Sequence, residues 1–273
     1  MMASPYGAIT MTKIPDQREL ALITGASSGM GTEFARLLAA RGYDLVLTAR
    51  RTDRLLALQT ELVAAAQVKV EVIPEDLGAP GGAESLIRRV EALGRPVGFL
   101  INNAGFGVHG DLLDNDAQRL AQMIQLNLVA LTTLTWHFGR AMRTRGSGRV
   151  LQVASIAAYQ PTPYYAAYAA TKAYVLFLSE ATNHELRGSG VTVTTLCPGM
   201  TETEFHDVAE HPKTGLVAWT RMTAREVAQI GIRSALRGRA VVTPGLLNKL
   251  TGLSAKLVPR SWGTALAGLL MRN

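Results

Sequence analysis

Two stretches of the chain carry residues whose chemistry depends on their spacing. The first is Tyr168-Ala-Ala-Thr-Lys172, within a strongly helical pattern. Positions i and i+4 share a helix face, so the Lys172 ammonium can stand beside the Tyr168 phenol. A cation there favours phenolate and lowers a pKa that starts near about 10. Tyr168 then becomes usable as an acid or base close to neutrality. Tyr164 and Tyr165 lie two turns from Lys172, which leaves Tyr168 as the better choice. Ser155 follows the apolar run RVLQVAS, at the strand edge where open α/β sheets hold ligands. Its hydroxyl can donate to a substrate oxygen or cap a turn. Asn127 lies inside the apolar stretch QMIQLNLVALTTL, where a buried amide needs partners.

The second stretch is Thr24-Gly25-Ala26-Ser27-Ser28-Gly29-Met30-Gly31, between an apolar run and a helical pattern. Gly25 and Gly29 let the backbone approach a pyrophosphate, and Gly31 lets helix pack on strand. The helix N-terminus offers free N–H groups to an anion. At the end of the next strand, where an NAD enzyme places a carboxylate for the ribose hydroxyl, the chain reads Ala49-Arg50-Arg51. No carboxylate stands there to repel a 2′-phosphate, and Arg50 offers it a bidentate fork. Asp53 could instead pair with these arginines at a solvated helix start. The expectation is NADP(H) rather than NAD(H).

Strand-like and helix-like segments alternate along the chain around these residues. Short apolar, β-branched runs at 19–24, 44–49, 68–73, 97–101, 149–153, 191–196 and 240–243 suit strands of a parallel sheet buried on both faces. Helical periodicity fills 30–41, 53–66, 81–93, 115–144, 165–187 and 223–237. Seven strands separated by helices, without a break in composition, predict one doubly wound α/β domain over residues 19–244. Residues 1–18 read as a flexible lead-in, and 245–273 as a basic amphipathic extension of the same domain.

The motifs together resemble the classical short-chain dehydrogenase/reductase family, over roughly residues 19–243. The match rests on Thr24-Gly25-x-x-x-Gly29-x-Gly31, Asp76, Asn102-Asn103-Ala104-Gly105, Asn127, Ser155, Tyr168-x-x-x-Lys172 and Pro198-Gly199. The run Leu47-Thr48-Ala49-Arg50-Arg51 is similar to the NADP-preferring branch. The resemblance implies a Rossmann domain in which Tyr168 exchanges a proton with the substrate oxygen and Ser155 holds that oxygen. It implies that Lys172 binds the nicotinamide ribose and that Asn127 anchors a water in a proton relay. Asp76 and Leu77 would meet the adenine, beside a cofactor cleft formed by Ser27, Ser28, Met30, Asn103, Ala104, Gly105, Pro198, Gly199, Thr201 and Thr203. Thr201 departs from the usual Val or Ile but keeps a β-branched side chain.

Substrate and partners follow more loosely. Phe205, Val208, Leu216, Val217 and Trp219 lie where the family places its lid, and Phe106, Val108, Ile156 and Tyr159 would face the same cleft. Such a pocket suits a hydrophobic ketone or 3-oxoacyl-type substrate, reduced with NADPH. The alternatives are an NADP-dependent secondary-alcohol dehydrogenase and a non-catalytic nucleotide-binding scaffold. Intact Asn127, Ser155, Tyr168 and Lys172 argue against the scaffold.

The 273 residues carry a net charge of +7, but nine basic residues and only Glu226 among the acidic fall in 221–273. The body is therefore nearly neutral and the tail basic. Leu246, Leu250, Leu253 and Leu257 form one helical stripe, and Trp262, Leu266, Leu269 and Leu270 another. These stripes dock on the body or a partner subunit, or lie on an anionic membrane. No recognition motif supports nucleic-acid binding. His206 and His211 lack a third ligand, so no metal site is expected. One cysteine, Cys197, excludes a disulfide framework. Without an 18-residue apolar run, the expectation is a cytoplasmic homodimer or homotetramer.

Overall fold

The computed structural model describes residues 20–202 and 222–272. Its seven-stranded parallel sheet comprises β1 (Leu20–Thr24), β2 (Asp44–Thr48), β3 (Val70–Val72), β4 (Val97–Asn102), β5 (Gly148–Val153), β6 (Val191–Leu196) and β9 (Val241–Val242), in the order β3-β2-β1-β4-β5-β6-β9. Chain order reverses between β1 and β4, which opens a crevice at the carboxyl ends of the strands. A two-residue ladder pairs β7 (Thr201–Glu202) with β8 (Met222–Thr223) outside this sheet.

Alternation along the strands builds a core on each face. Ala21, Ile23, Leu45, Leu47, Phe99 and Ile101 point to one side. There they meet Phe34 and Leu38 of α1 (Gly29–Ala39), Leu55 and Leu62 of α2 (Thr52–Ala66), and Val227 and Ile232 of α7 (Ala224–Leu236). Leu20, Leu22, Val46, Leu100 and Val150 point to the other. Their partners are Leu86 and Val90 of α3 (Gly82–Glu91) and Leu134, Phe138 and Met142 of α5 (Leu131–Arg145). Burial on both faces is why these strands read as continuous apolar runs. The result is a single Rossmann-like α/β domain with additional C-terminal helices.

The strands and helices fall where the periodicity predicts them, with one difference of substance. The stretch 115–144 is not one regular helix: α4 (Ala117–Ile124) passes into a π-helical segment, Gln125–Ala130, before α5 begins. Such wide turns recur at functional sites, and this one carries Asn127.

The tail forms α8 (Leu246–Leu257) and α9 (Arg260–Met271), and it docks on the body. Among the described side chains, the contact does not use the leucine stripes. Leu246, Leu250, Trp262, Leu266, Leu269 and Leu270 are all exposed, and the side chains of Leu253 and Leu257 lie outside those described. Small residues face inward instead, because they allow the helices to sit closer than leucine would. A Cβ on Gly252 would lie 2.9 Å from the Tyr159 ring, and one on Gly268 3.2 Å from Pro163.

Candidate active site

The turn after β1 is shaped by its glycines. Gly25 and Gly29 take φ of +66° and +54°, conformations that cost a side-chain-bearing residue energy. A Cβ on Gly31 would stand 2.1 Å from the Gly25 carbonyl oxygen, so this position admits no side chain. Thr24 ties the turn to the end of β4. Its hydroxyl donates to the Ile101 carbonyl at 3.3 Å and accepts from the Asn103 and Ala104 N–H groups at 3.0 and 2.9 Å. Asn103 Nδ2 donates in turn to the Thr24 and Gly25 carbonyls, at 2.9 and 3.2 Å. The neighbouring Asn102 turns inward, donating to Thr135 and Gln152.

A cleft of about 300 Å³ opens over this turn. It gathers Gly25, Ser27, Ser28, Gly29, Met30, Arg50, Arg51, Asp76, Leu77, Asn103, Ala104 and Gly105, drawn from four separate strand ends. Thr48, Ala49, Glu75, Phe106 and Leu126 complete its wall. Arg51 is the arginine that reaches the turn, donating from Nη2 to the Ser28 hydroxyl at 2.8 Å and from Nε to the Ser27 hydroxyl at 3.3 Å. Arg50 also lines the cleft, from an exposed position. Asp76 accepts from the Gly78 N–H at 2.9 Å. No acidic residue stands in the first turn of α1, so the helix end remains favourable to an anion. Glycines that leave room for a backbone approach, a helix N-terminus and two arginines together fit the phosphates of a nucleotide cofactor.

Gly31 packs behind the turn, and Pro198, Gly199 and Thr201 stand beside the Ser155 turn rather than in the wall of this cleft. The Pro198 carbonyl accepts from the Ile156 N–H at 2.9 Å, and a Cβ on Gly199 would meet the buried Asn248 side chain within 2.6 Å. Thr201 is buried, with its hydroxyl on the Gly199 carbonyl. Thr203 and Phe205, with the rest of the lid residues from Val208 to Trp219, lie outside the described residues.

Gly105 joins the cleft to the second group of polar residues. A Cβ placed on it would lie 3.0 Å from Asn127 Oδ1 and 3.4 Å from Lys172 Nζ. Asn127 is buried and fully partnered. Its Oδ1 accepts from the Phe106 N–H at 3.2 Å, and its Nδ2 donates to the Phe106 carbonyl at 2.9 Å and to the Thr171 hydroxyl at 3.1 Å. It therefore clamps the loop after β4 to α6 (Ala166–Glu185), the helix that carries Tyr168 and Lys172. Thr171 and Asn248 are positions that sequence reasoning missed, since an isolated Thr or Asn gives no periodic signal.

Tyr168 and Lys172 share the buried face of α6, with Nζ 5.7 Å from the ring centroid. Ser155 hydrogen-bonds the Tyr168 hydroxyl and also accepts from the Ala157 N–H at 3.1 Å, capping the short 3₁₀ turn Ile156–Tyr159. The capping role open to this serine is therefore realised. The expected depression of the Tyr168 pKa does not hold for these groups on their own. Burial pushes the Tyr168 hydroxyl well above its ordinary value, with only the Ser155 hydrogen bond opposing it. Lys172 is itself desolvated, and burial brings it down to about 8 while Nζ donates to the Val153 carbonyl at 2.9 Å.

Around Tyr168 the surroundings are apolar. Val108, Met123 and Tyr165 cluster with it, and Phe106, Leu120, Ala157, Ala167 and Met271 pack against them. Tyr159, expected at the same cleft, belongs to another cluster with Val175 and Cys197 and bonds Thr243 at 2.7 Å. Its place is structural: it seats the tail. Among the described residues no three His, Cys, Asp or Glu side chains gather as a metal site, and no helix is long and apolar enough to cross a membrane.

Comparison with known proteins agrees with this architecture. The short chain dehydrogenase family matches residues 19–214, and the chain belongs to that family of oxidoreductases. The ketoacyl reductase HetN of Nostoc sp. is 30% identical over 230 residues, covering 84% of this chain and 76% of that protein. A short-chain dehydrogenase from Sphingobium yanoikuyae, solved with NADPH, is 33% identical with a TM-score of 0.77, over 88% of this chain and 94% of that one. The bulky-bulky ketone specific alcohol dehydrogenase from Comamonas testosteroni is 30% identical with a TM-score of 0.75, over 89% and 94%.

Proposed function

We propose that this protein is an NADPH-dependent reductase of a hydrophobic ketone or 3-oxoacyl-type carbonyl. The observation that carries the reading is the Tyr168 hydroxyl, hydrogen-bonded to Ser155 within an apolar cluster and joined through Gly105 to the dinucleotide-shaped cleft. Gly25, Ser28, Gly29, Arg50 and Arg51 would hold the phosphates, Asp76 and Leu77 the adenine, and Lys172 with Asn103, Ala104, Gly105, Pro198, Gly199, Thr201 and Thr203 the nicotinamide half. When bound, NADPH supplies the hydride that a carbonyl carbon accepts. Ser155 then fixes the carbonyl oxygen and Tyr168 gives it a proton. Asn127 keeps the β4 loop and α6 in register while this happens.

Burial favours the reductive direction, because a raised pKa keeps Tyr168 protonated at neutral pH, the form a donor requires. The reverse reaction, oxidation of a secondary alcohol, needs the phenolate and should speed up with rising pH. Support for the substrate class comes from Val108, Met123, Phe106 and Met271 around Tyr168. The ketoacyl reductase and the bulky-ketone dehydrogenase described above also act on such carbonyls by name. The NADP choice draws on Arg51 over Ser27 and Ser28 and on the NADPH-bound relative. Assembly as a homodimer or homotetramer belongs to the same proposal. Trp136, Tyr174 and Phe177, exposed on α5 and α6, offer it a surface.

The test is NADPH consumption over a panel of ketones and 3-oxoacyl thioesters. Tyr168→Phe should lower turnover by about a hundredfold or more, while NADPH binding, read by fluorescence titration, survives. Turnover that persists in that variant rejects the mechanism. Arg51→Asp, alone and with Arg50→Asp, should move the kcat/KM ratio toward NADH. An unchanged ratio would place the 2′-phosphate elsewhere.

A further inference from the structure

The two tail helices turn mostly small residues toward the body and, Met271 apart, the large apolar residues described there away from it. On α8, Asn248 and Gly252 are buried and Ala255 half-buried; on α9, Ala267 is buried and Gly263, Thr264, Gly268 and Met271 are half-buried. Each set falls at steps of three and four, one helical face. Both helices rest on the same short stretch, α8 on Tyr159 and α9 on Gln160 and Pro163. The opposite faces carry Leu246, Leu247, Leu250, Trp262, Leu266, Leu269 and Leu270, all 50–75% exposed. Large apolar groups gathered in this number on a surface mark an interaction site.

Charge selects the partner. Lys249 and Arg260 are exposed on these helices and Arg272 just beyond α9, and no acidic residue follows Glu226 in the sequence. Two copies of this surface facing one another would bring unneutralised cations together. An anionic phospholipid surface supplies both an apolar interior and the opposite charge, and Trp262 suits the interfacial layer. Each helix has 12 residues, about 18 Å of length against a hydrocarbon core of about 30 Å. They can lie in the interface and cannot span it.

We propose that α8 and α9 dock flat on an anionic phospholipid bilayer. The exposed leucines and Trp262 enter the boundary between headgroups and acyl chains, while Lys249, Arg260 and Arg272 meet lipid phosphates. This docking is independent of the substrate proposed above.

The experiment is sedimentation of the full chain with vesicles of phosphatidylcholine, with and without phosphatidylglycerol. The protein should pellet with the mixed vesicles, stay in solution with the neutral ones, and be released by salt. Lys249→Glu with Arg260→Glu should lower partitioning by about tenfold or more, and Leu266→Ser with Leu269→Ser by at least about tenfold. NADPH binding and thermal melting report that both variants are folded. Equal pelleting of both variants and the parent overturns the proposal, as does failure to pellet at any composition. Loss of oligomer mass in light scattering for Leu266→Ser with Leu269→Ser, without vesicle binding by the parent, would give the surface to a second copy instead and overturn it equally.

Discussion

Glycine serves opposite purposes in the turn after β1 and in the tail helices. In the turn, a side chain on Gly25 or Gly31 would strike backbone, and Gly25 and Gly29 line the cleft. In the tail, Gly252 and Gly268 sit where side chains would strike Tyr159 and Pro163, and the space is filled by the body itself. One arrangement leaves a cavity for a ligand. The other closes a gap and leaves the large residues outside. Small residues therefore mark close approach in general, and only the surroundings decide whether the approaching group is a ligand or another part of the chain.

Substitution at the two kinds of glycine should separate these roles, and the turn should be the less forgiving. Gly31→Val forces a Cβ against the Gly25 backbone carbonyl, which cannot give way. We expect loss of NADPH binding and destabilisation at or above the ~1–3 kcal/mol of ordinary overpacking, read by titration and thermal denaturation. Normal nucleotide binding in that variant would erase the distinction. Gly252→Leu meets an aromatic ring on a tail that can lift away. Its cost should stay within ~1–3 kcal/mol, with faster proteolysis of residues 246–271 and unchanged NADPH affinity.

A smaller effect is expected at the inner end of the cleft. Lys172 stands at about 8 in the fold and 10.5 unperturbed, so the unfolded chain binds the extra proton between those values. Stability from this group should therefore rise as pH climbs from about 8 to 10.5, with a slope on the order of 1 kcal/mol per pH unit. Lys172→Met should remove that slope, and a melting curve with the same pH response in parent and variant would contradict it. Smallest of all is Leu269→Ser, a large residue on the outward side. It should alter stability by no more than ~0.5 kcal/mol in the absence of lipid. A larger loss would mean that the tail buries its leucines after all.

Much of this architecture was legible beforehand because it rests on local patterns. Strands buried on both faces leave β-branched runs, and α6 places Tyr168 over Lys172 by its period alone. The turn residues Gly25, Gly29 and Gly31 declare themselves by conformation, and the dinucleotide cleft follows from their position after β1. The π-helical segment around Asn127 was not legible, since its apolar pattern continues through 115–144 without a break. Nor was the pairing of Arg51 rather than Arg50 with Ser27 and Ser28, which depends on how α2 starts. Tyr159 read as a cleft residue because it follows Ser155 closely, yet the 3₁₀ turn swings it toward Thr243 and the tail.

Fold class, family and the identity of the Tyr168 and Lys172 pair are written in local spacing, because spacing along a helix or strand is a local property. The proton affinities of that pair and the facing of the tail come instead from how the chain packs. Burial raises Tyr168 and lowers Lys172 through the loss of water around both groups, and no spacing records how much water remains. The leucine stripes announced an amphipathic tail, but a glycine face can pack closer than a leucine face. Which side turned inward depended on the shape of Tyr159 and Pro163 waiting beneath it.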